Sequence, residues 1–272
     1  MIRIFSILVG LFFTVALAWS FANGAYTAAT EPSPETVEHA FHKHPKDVHF
    51  ASDGAFGKFD KQQLQRGFQV YKEVCANCHS LSHVAFRDLK ALGYNDDEVK
   101  AIASQGPKQP TFDPKTGDRG ERASLPADHF PAVYYAGQGS PPDLSLIAKA
   151  RHDGGAYVYS LLTGYANQPA ELLKRFPDAK TPDGLHYNPY FANLNLAMPP
   201  PLTSEGQVTY GPGNPKPTVD QMAKDVSAFL IWSAEPKLDK RKQTGWPVLG
   251  FLLFATILGY MSYRNIWAGT KH

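Results

Sequence analysis

The sequence predicts a mainly α protein, with long loops in one soluble domain and a single transmembrane helix near its C-terminal end. Three observations carry that class. Apolar residues recur at helical spacing behind capping residues in several segments. Strand signals are sparse. Trp246 to Tyr263 is an eighteen-residue run without a charge, close to the length that a helix rising 1.5 Å per residue needs to cross a bilayer. The 272 residues are 43% hydrophobic, ample for a core, and the net charge of +2 gives no reason to expect a nucleic-acid partner. Internal repeats and low-complexity tracts are absent.

At the N-terminus, Arg3 precedes an apolar run from Ile4 to Trp19, and small residues follow at Ala22, Gly24 and Ala25. That is the layout of a secretory signal peptide, expected over residues 1–25. No charge appears between Arg3 and Glu31, so an uncleaved anchor is the competing reading. Residues 26–58 read as an N-terminal arm. Its His39, His42, His44 and His49 suggest a solvated, partly flexible segment, with a metal site as the alternative.

Asp60 followed by Gln63 resembles a capping box, opening a helix from Lys61 to Val74 with Leu64, Phe68, Tyr71 and Val74 at helical spacing. That helix runs into Cys75-Ala76-Asn77-Cys78-His79, which holds the only two cysteines in C-x-x-C-H spacing. Two thiols three positions apart can add to the two vinyl groups of one haem, and the following imidazole is then placed to ligate its iron. Structural zinc would need a second pair of ligands, and a thioredoxin-like motif would need a strand–helix–strand pattern that is not readable here. Thirteen Tyr, seventeen Phe and 22 Pro suit a loop-rich domain packed around a large flat cofactor.

Further helices follow the same logic. Asn95 with Glu98 opens a short helix bearing Val99 and Ile102. Ala156 to Thr163 reads as a helix ending at Gly164. Thr218 with Gln221 opens a helix to about Ser233, whose apolar residues are Met222, Val226, Phe229, Leu230 and Trp232. Among the four methionines, Met1 is the initiator, Met261 lies in the apolar span and Met222 sits on an apolar helix face. Met198 remains as a sixth ligand, in a loop whose Pro199, Pro200 and Pro201 fix the backbone. Spacing alone leaves His129, His152 and His186 open as competitors.

The apolar run gives a membrane anchor over residues 244–265 with a tail over 266–272, and Trp246, Tyr260, Tyr263 and Trp267 suit the two interfaces. Lys237, Lys240, Arg241 and Lys242 precede the span, whereas Arg264 and Lys271 follow it. The positive-inside count would therefore place the soluble domain in the cytoplasm. A long domain behind a signal peptide is translocated largely regardless of charge, so export is expected instead.

From about residue 56 to its C-terminus, the chain resembles the cytochrome c1 family, the haem subunits of quinol–cytochrome c reductase. Gln65 to Tyr71 precede the haem motif; Pro141 to Ser145, Ala150-Arg151-His152, Ser160 to Tyr165 and Tyr187 to Phe191 follow it. Ala197-Met198-Pro199-Pro200, Ala223 to Val226 and Ala234-Glu235-Pro236 complete the likeness. The resemblance implies a class I-like cytochrome c haem domain over residues 59–243, carrying one covalent haem c on Cys75 and Cys78. His79 and Met198 would be the iron ligands, and Arg151 and Tyr157 would contact a haem propionate. It further implies that the helix before the motif crosses the last soluble helix, setting Gly67 and Phe68 against Phe229 and Trp232.

The implied role is one-electron transfer from a Rieske iron–sulfur protein to a soluble or tethered cytochrome c, beside a cytochrome b subunit. The chain itself would have no bond-making site, and quinol oxidation would occur in another subunit of the proton-translocating complex. Its implied place is the bacterial inner membrane, single-pass, with the haem domain in the periplasm. Two departures stand out. Some bacterial relatives carry an extra disulfide, for which this chain has no cysteines. Relatives often present an acidic face, whereas acids and bases are nearly balanced here from Phe86 to Asp128.

Overall fold

A computed structural model describes residues 2–31, 35–137 and 139–270, and the chain divides into two units, Met1–Phe41 and His42–His272. The first unit holds α1 (Ile2–Thr30) and the short α2 (Val37–Phe41). Helix α1 carries no charge after Arg3 and is long and apolar enough to cross a membrane. Met1 of the expected signal, residues 32–34 of the arm, and Lys271 and His272 of the tail lie outside the described residues.

The second unit is mainly α. It runs through α3 (Lys61–Val70), a π turn (Tyr71–Cys75), a 3-10 segment (Phe86–Leu92) and α4 (Asp96–Gln105). An antiparallel hairpin of β1 (Gln109–Phe112) and β2 (Arg119–Arg122) follows, with Gln109 opposite Arg122. Next come α5 (Ile147–Ala150), α6 (Gly154–Leu162), α7 (Ala170–Arg175) and a 3-10 turn (Pro177–Ala179). The small pair β3 (His186–Tyr187) and β4 (Asn195–Leu196) precedes α8 (Val219–Ala234) and α9 (Leu238–Trp267).

Helix α8 is the centre of the core, and α3 and α6 both pack on it. A Cβ on Gly67 would stand 2.0 Å from the Asp225 carbonyl and 2.7 Å from Phe229 Cβ, so only glycine lets α3 approach this closely. Phe68 lies tilted against Phe229 with ring centroids 5.6 Å apart, and Phe229 stacks on Trp232 at 5.7 Å. Phe229 is fully buried, which contributes about 1.5–3 kcal/mol relative to exposure. The helix crossing implied by the family resemblance is therefore present, with glycine at the contact.

Three local differences from the sequence reading have physical causes. The helix expected to Val74 is α-helical only to Val70; Ala76 N–H then donates to Tyr71 O at 2.8 Å, closing a π turn that carries one extra residue into Cys75. Tyr71 stays buried and donates its hydroxyl to the His79 carbonyl at 3.0 Å, which ties the wider turn to the motif behind it. Asp60 and Thr218 cap their helices as expected, but neither capping box closes. Gln63 and Gln221 both reach the buried Asp225 carboxylate instead, at 3.1 and 2.8 Å. The Asn95–Glu98 box does close in both directions.

The third difference is the arm. Its four histidines are exposed, but the chain between them is docked. Lys46 N–H donates to Ser160 Oγ at 2.7 Å, its ammonium reaches Thr163 Oγ1 at 2.7 Å, and Phe50 enters the core. At the other end, α9 begins before the apolar run. Asp239 accepts from Phe59 N–H at 3.2 Å and Lys242 Nζ donates to Ser52 O at 2.6 Å, so the first turns of this helix are fastened to the soluble domain.

Candidate haem site

The Cys75–His79 segment is a tight turn at the end of the π turn, with Cys78 N–H and His79 N–H both donating to Cys75 O at 3.1 and 2.9 Å. Both thiols are free and half-buried, and Cys75 packs against the core cluster. Burial, with Cys78 beside it, pushes the Cys75 thiol up to about 12. An environment that disfavours a thiolate favours neutral sulfur, and a thioether is neutral.

His79 Nδ1 lies 2.8 Å from the Pro142 carbonyl oxygen. A carbonyl can only accept, so Nδ1 is the donor in this bond, which selects the tautomer whose Nε2 lone pair is the one that ligates metal in a neutral imidazole. The Pro142 loop is itself held. Asp143 accepts from Ser82 N–H at 2.8 Å, Ser82 Oγ at 2.7 Å and Ser145 N–H at 2.8 Å, while Leu144 N–H donates to Ser80 O at 2.9 Å. Burial pushes the Asp143 carboxyl upward, but the hydrogen bonds from Ser145 and Ser82 outweigh it and hold the group below its ordinary range. Ser233 Oγ of α8 donates to Ser145 O at 3.1 Å, joining this loop to the core.

Met198 is half-buried in the loop just after β4. Its carbonyl accepts from the Tyr165 hydroxyl at 3.0 Å. The preceding chain turns through Leu194, a buried non-glycine residue at φ 65°. Asn188, fully buried, donates to Leu161 O of α6 at 2.8 Å and fixes that turn. The supports of the His79 and Met198 loops meet at one segment: a Cβ on Gly139 would stand 4.0 Å from Ala197 Cβ, while Pro142 three residues on bonds His79.

Tyr157 on α6 is half-buried and close enough to Tyr165 to add to the rise that burial gives the Tyr165 phenol. Arg151 is exposed; its guanidinium makes one long bond to the Ala150 carbonyl at 3.4 Å and pairs with no carboxylate among the described residues. The structure thus gathers Cys75, Cys78 and His79 in one turn and links Tyr157, Tyr165 and Met198 in another group, and leaves the Arg151 guanidinium without a carboxylate among the described residues. Of the competing histidines, His129 Nδ1 is 2.7 Å from Ser82 O, His152 is solvent-exposed beside Asp153 at 3.3 Å, and His186 packs edge-on to Tyr165 with centroids 6.4 Å apart. No cluster of three or more His, Cys, Asp or Glu able to hold a metal occurs among the described residues, including the histidines of the arm.

The donor set fits haem c: two neighbouring thiols, an imidazole whose Nδ1 is engaged by a carbonyl, a thioether in an anchored loop, and a guanidinium with no carboxylate partner among the described residues. Pro142, Tyr165 and Gly139 support these groups and were not singled out by any sequence motif. Pro142 and Tyr165 do lie inside segments that carry the family likeness.

Residues 50–270 match the model of the cytochrome C1 family. Cytochrome c1 of Rhodospirillum rubrum is 42% identical over 241 residues, covering 80% of this chain and 86% of its own length. A protein of Arabidopsis thaliana named cytochrome c1 1, heme protein, mitochondrial is 38% identical over 274 residues, covering 94% and 82%. The cytochrome b-c1 complex catalytic subunit, mitochondrial, of Candida albicans is 39% identical over 254 residues, covering 89% and 83%. The matched span includes the haem motif, the Pro142 and Met198 loops, and helix α9. The chain belongs to the cytochrome c1 family.

Proposed function

We propose that the chain is the haem-bearing electron-transfer subunit of a cytochrome bc1 complex, taking one electron at a time from a Rieske iron–sulfur protein and passing it to a soluble or tethered cytochrome c. The single observation that carries this reading at the site is the His79 Nδ1 bond to Pro142 O, 2.8 Å long, which presents Nε2 as an iron ligand within a family match of most of the chain. Haem c, when bound, supplies a ferric–ferrous couple.

The residues set how that couple behaves. Cys75 and Cys78 would hold the group as thioethers, and His79 and Met198 would be its iron ligands, the latter offered from the loop that Tyr165 anchors. With both ligands in place the iron would have no site left for oxygen or substrate, and a methionine ligand would favour the ferrous state, which suits a late, high-potential carrier. Arg151 would offer a permanently charged, bidentate partner to a propionate, and Tyr157 is assigned to the same contact. The chain makes and breaks no covalent bond in turnover; quinol oxidation belongs to another subunit, and cytochrome b and the Rieske protein are the partners.

On this reading residues 1–25 are a signal peptide, 26–58 an arm, 59–243 the haem domain, 244–265 the anchor and 266–272 a cytoplasmic tail. The haem domain faces the periplasm of a bacterial inner membrane. Purification in mild detergent with a redox-difference spectrum tests the proposal: c-type and b-type haem should co-elute with an iron–sulfur protein. A c-type haem eluting alone would instead support a free-standing anchored cytochrome.

A further inference from the structure

Phe56 is 79% exposed, yet its ring stacks on Trp246 of α9 with centroids 5.1 Å apart and planes 8° from parallel. The loop that carries it is fastened on every side. Lys242 Nζ donates to Ser52 O at 2.6 Å and Gly57 O at 3.3 Å, Lys58 N–H donates to Ala51 O at 2.9 Å, and Asp53 accepts from Phe50 N–H at 2.8 Å. Gly57 lies so close to the chain before it that a Cβ there would fall 1.9 Å from Asp53 O. The loop is therefore a rigid mount, and it holds a bare aromatic ring beside the first residue of the uncharged run.

What surrounds that ring is asymmetric. Past Trp246 the side chains of Val248, Leu249 and Phe251 are exposed and apolar. On the other side, the nearby carboxylates are engaged: Asp53 on Phe50 N–H, Asp239 on Phe59 N–H, and Glu235 on Lys149 and Arg241. The ammonium groups of Lys58, Lys237 and Lys240 have no partner among the described residues, and Lys240 lies six residues, about 9 Å of helix, before Trp246. Aromatic rings at one level with unpaired lysines above them match the depth profile of a phospholipid interface.

We propose that the Ser52–Lys58 loop is a second membrane contact, in which Phe56 enters the headgroup–acyl boundary of the bilayer beside Trp246. The occupant is phospholipid, and the consequence is a fixed angle between the soluble domain and its anchor. The inference rests on α9 being the membrane span.

The test uses the full-length haem-loaded chain in its membrane complex, placed in nanodiscs of phosphatidylcholine and phosphatidylglycerol. Phe56→Cys and, in a second variant, Ala55→Cys provide sites for a nitroxide, since both native cysteines are assigned to haem. Phe254→Cys reports on the anchor, and Phe112→Cys on the distant exposed hairpin. Collisions of the label with oxygen should exceed those with a water-soluble nickel chelate at residues 55, 56 and 254, and the order should reverse at 112. Nickel-dominated collisions at 55 and 56 would place the loop in water and overturn the proposal. Shielding from both reagents would place it against another subunit and overturn it equally. Oxygen-dominated collisions at 254 in either case would leave the anchor intact, and their loss there would count against the span itself.

Discussion

Arg66 Nε stands 2.8 Å from Oδ2 of Asp225, whose side chain is wholly buried. Gln63 and Gln221 add their amides to Oδ1, so helices α3 and α8 are joined by a carboxylate that accepts from both. Removing one member of such a pair leaves a buried charge under-compensated. Arg66→Ala should therefore destabilise the soluble domain by about 3–5 kcal/mol. Replacing both, as Arg66→Met with Asp225→Leu, should recover much of that loss, because an apolar pair carries no desolvation cost. Denaturant unfolding of the two variants checks the difference, and equal losses would mean that packing, not charge, dominates the contact.

The next residue, Gly67, meets the backbone of α8. Its missing Cβ would sit 2.0 Å from the Asp225 carbonyl, a distance that no rotamer change relieves because both sides are main chain. Gly67→Ala should cost about 3 kcal/mol or more, the upper end for overpacking. A melting temperature equal to the parent protein's would show that the two helices can separate freely.

These two positions also show what can be read along a chain. Helical spacing and capping residues placed α3, α4 and α8 to within a few residues, because their signals are local. The open capping box at Gln63 was not legible, since the competing acceptor, Asp225, lies 162 residues away, whereas Gln221 reaches the same carboxylate one turn along its own helix. The π turn escaped for a related reason: apolar spacing continues through Val74, and nothing local marks the extra residue. At the site, the Cys75–His79 motif announces its chemistry, and elimination and likeness single out Met198 as the candidate second ligand. Pro142, 63 residues beyond His79, contributes only a carbonyl, which every residue has.

The Asp143 carboxylate makes that support pH-dependent. Its folded-state pKa lies below the ordinary value because hydrogen bonds from Ser145 and Ser82 outweigh burial. A depressed carboxylate contributes stability that is present above its unfolded pKa of about 3.9 and is lost as pH falls through the folded value. Asp143→Asn should melt lower than the parent at neutral pH, and the gap should shrink as pH drops to about 3. Paired thermal melts followed at the haem absorbance check this, and a gap that stays constant with pH would remove the carboxylate charge from the account.

Arg151 pairs with no carboxylate of the described chain, which is the condition expected of a cation reserved for a propionate. Arg151→Gln should lower the stability of the haem-loaded domain by about 1.5–3 kcal/mol, the range of a hydrogen bond to a charged group. The cofactor-free chain should lose much less. Comparing unfolding with and without haem separates the two, and equal effects would count against the contact.

Tyr165 and Met198 together test the distal side. Met198→Leu should keep haem covalently attached through Cys75 and Cys78 yet lower the midpoint potential markedly, since axial ligation alone spans about 0.8 V among haem proteins. It should also open the iron to carbon monoxide in the reduced state. Tyr165→Phe leaves the thioether in place and removes only the 3.0 Å bond to the Met198 carbonyl, about 0.5–1.5 kcal/mol. Its potential should stay near the parent's, while the methionine-to-iron charge-transfer absorption should fade at a lower temperature. That split distinguishes a ligand from a residue that positions one. A Met198→Leu protein with unchanged potential would eliminate Met198 as the ligand, and a Tyr165→Phe protein with an unchanged fading temperature would show that the prolines alone hold the loop.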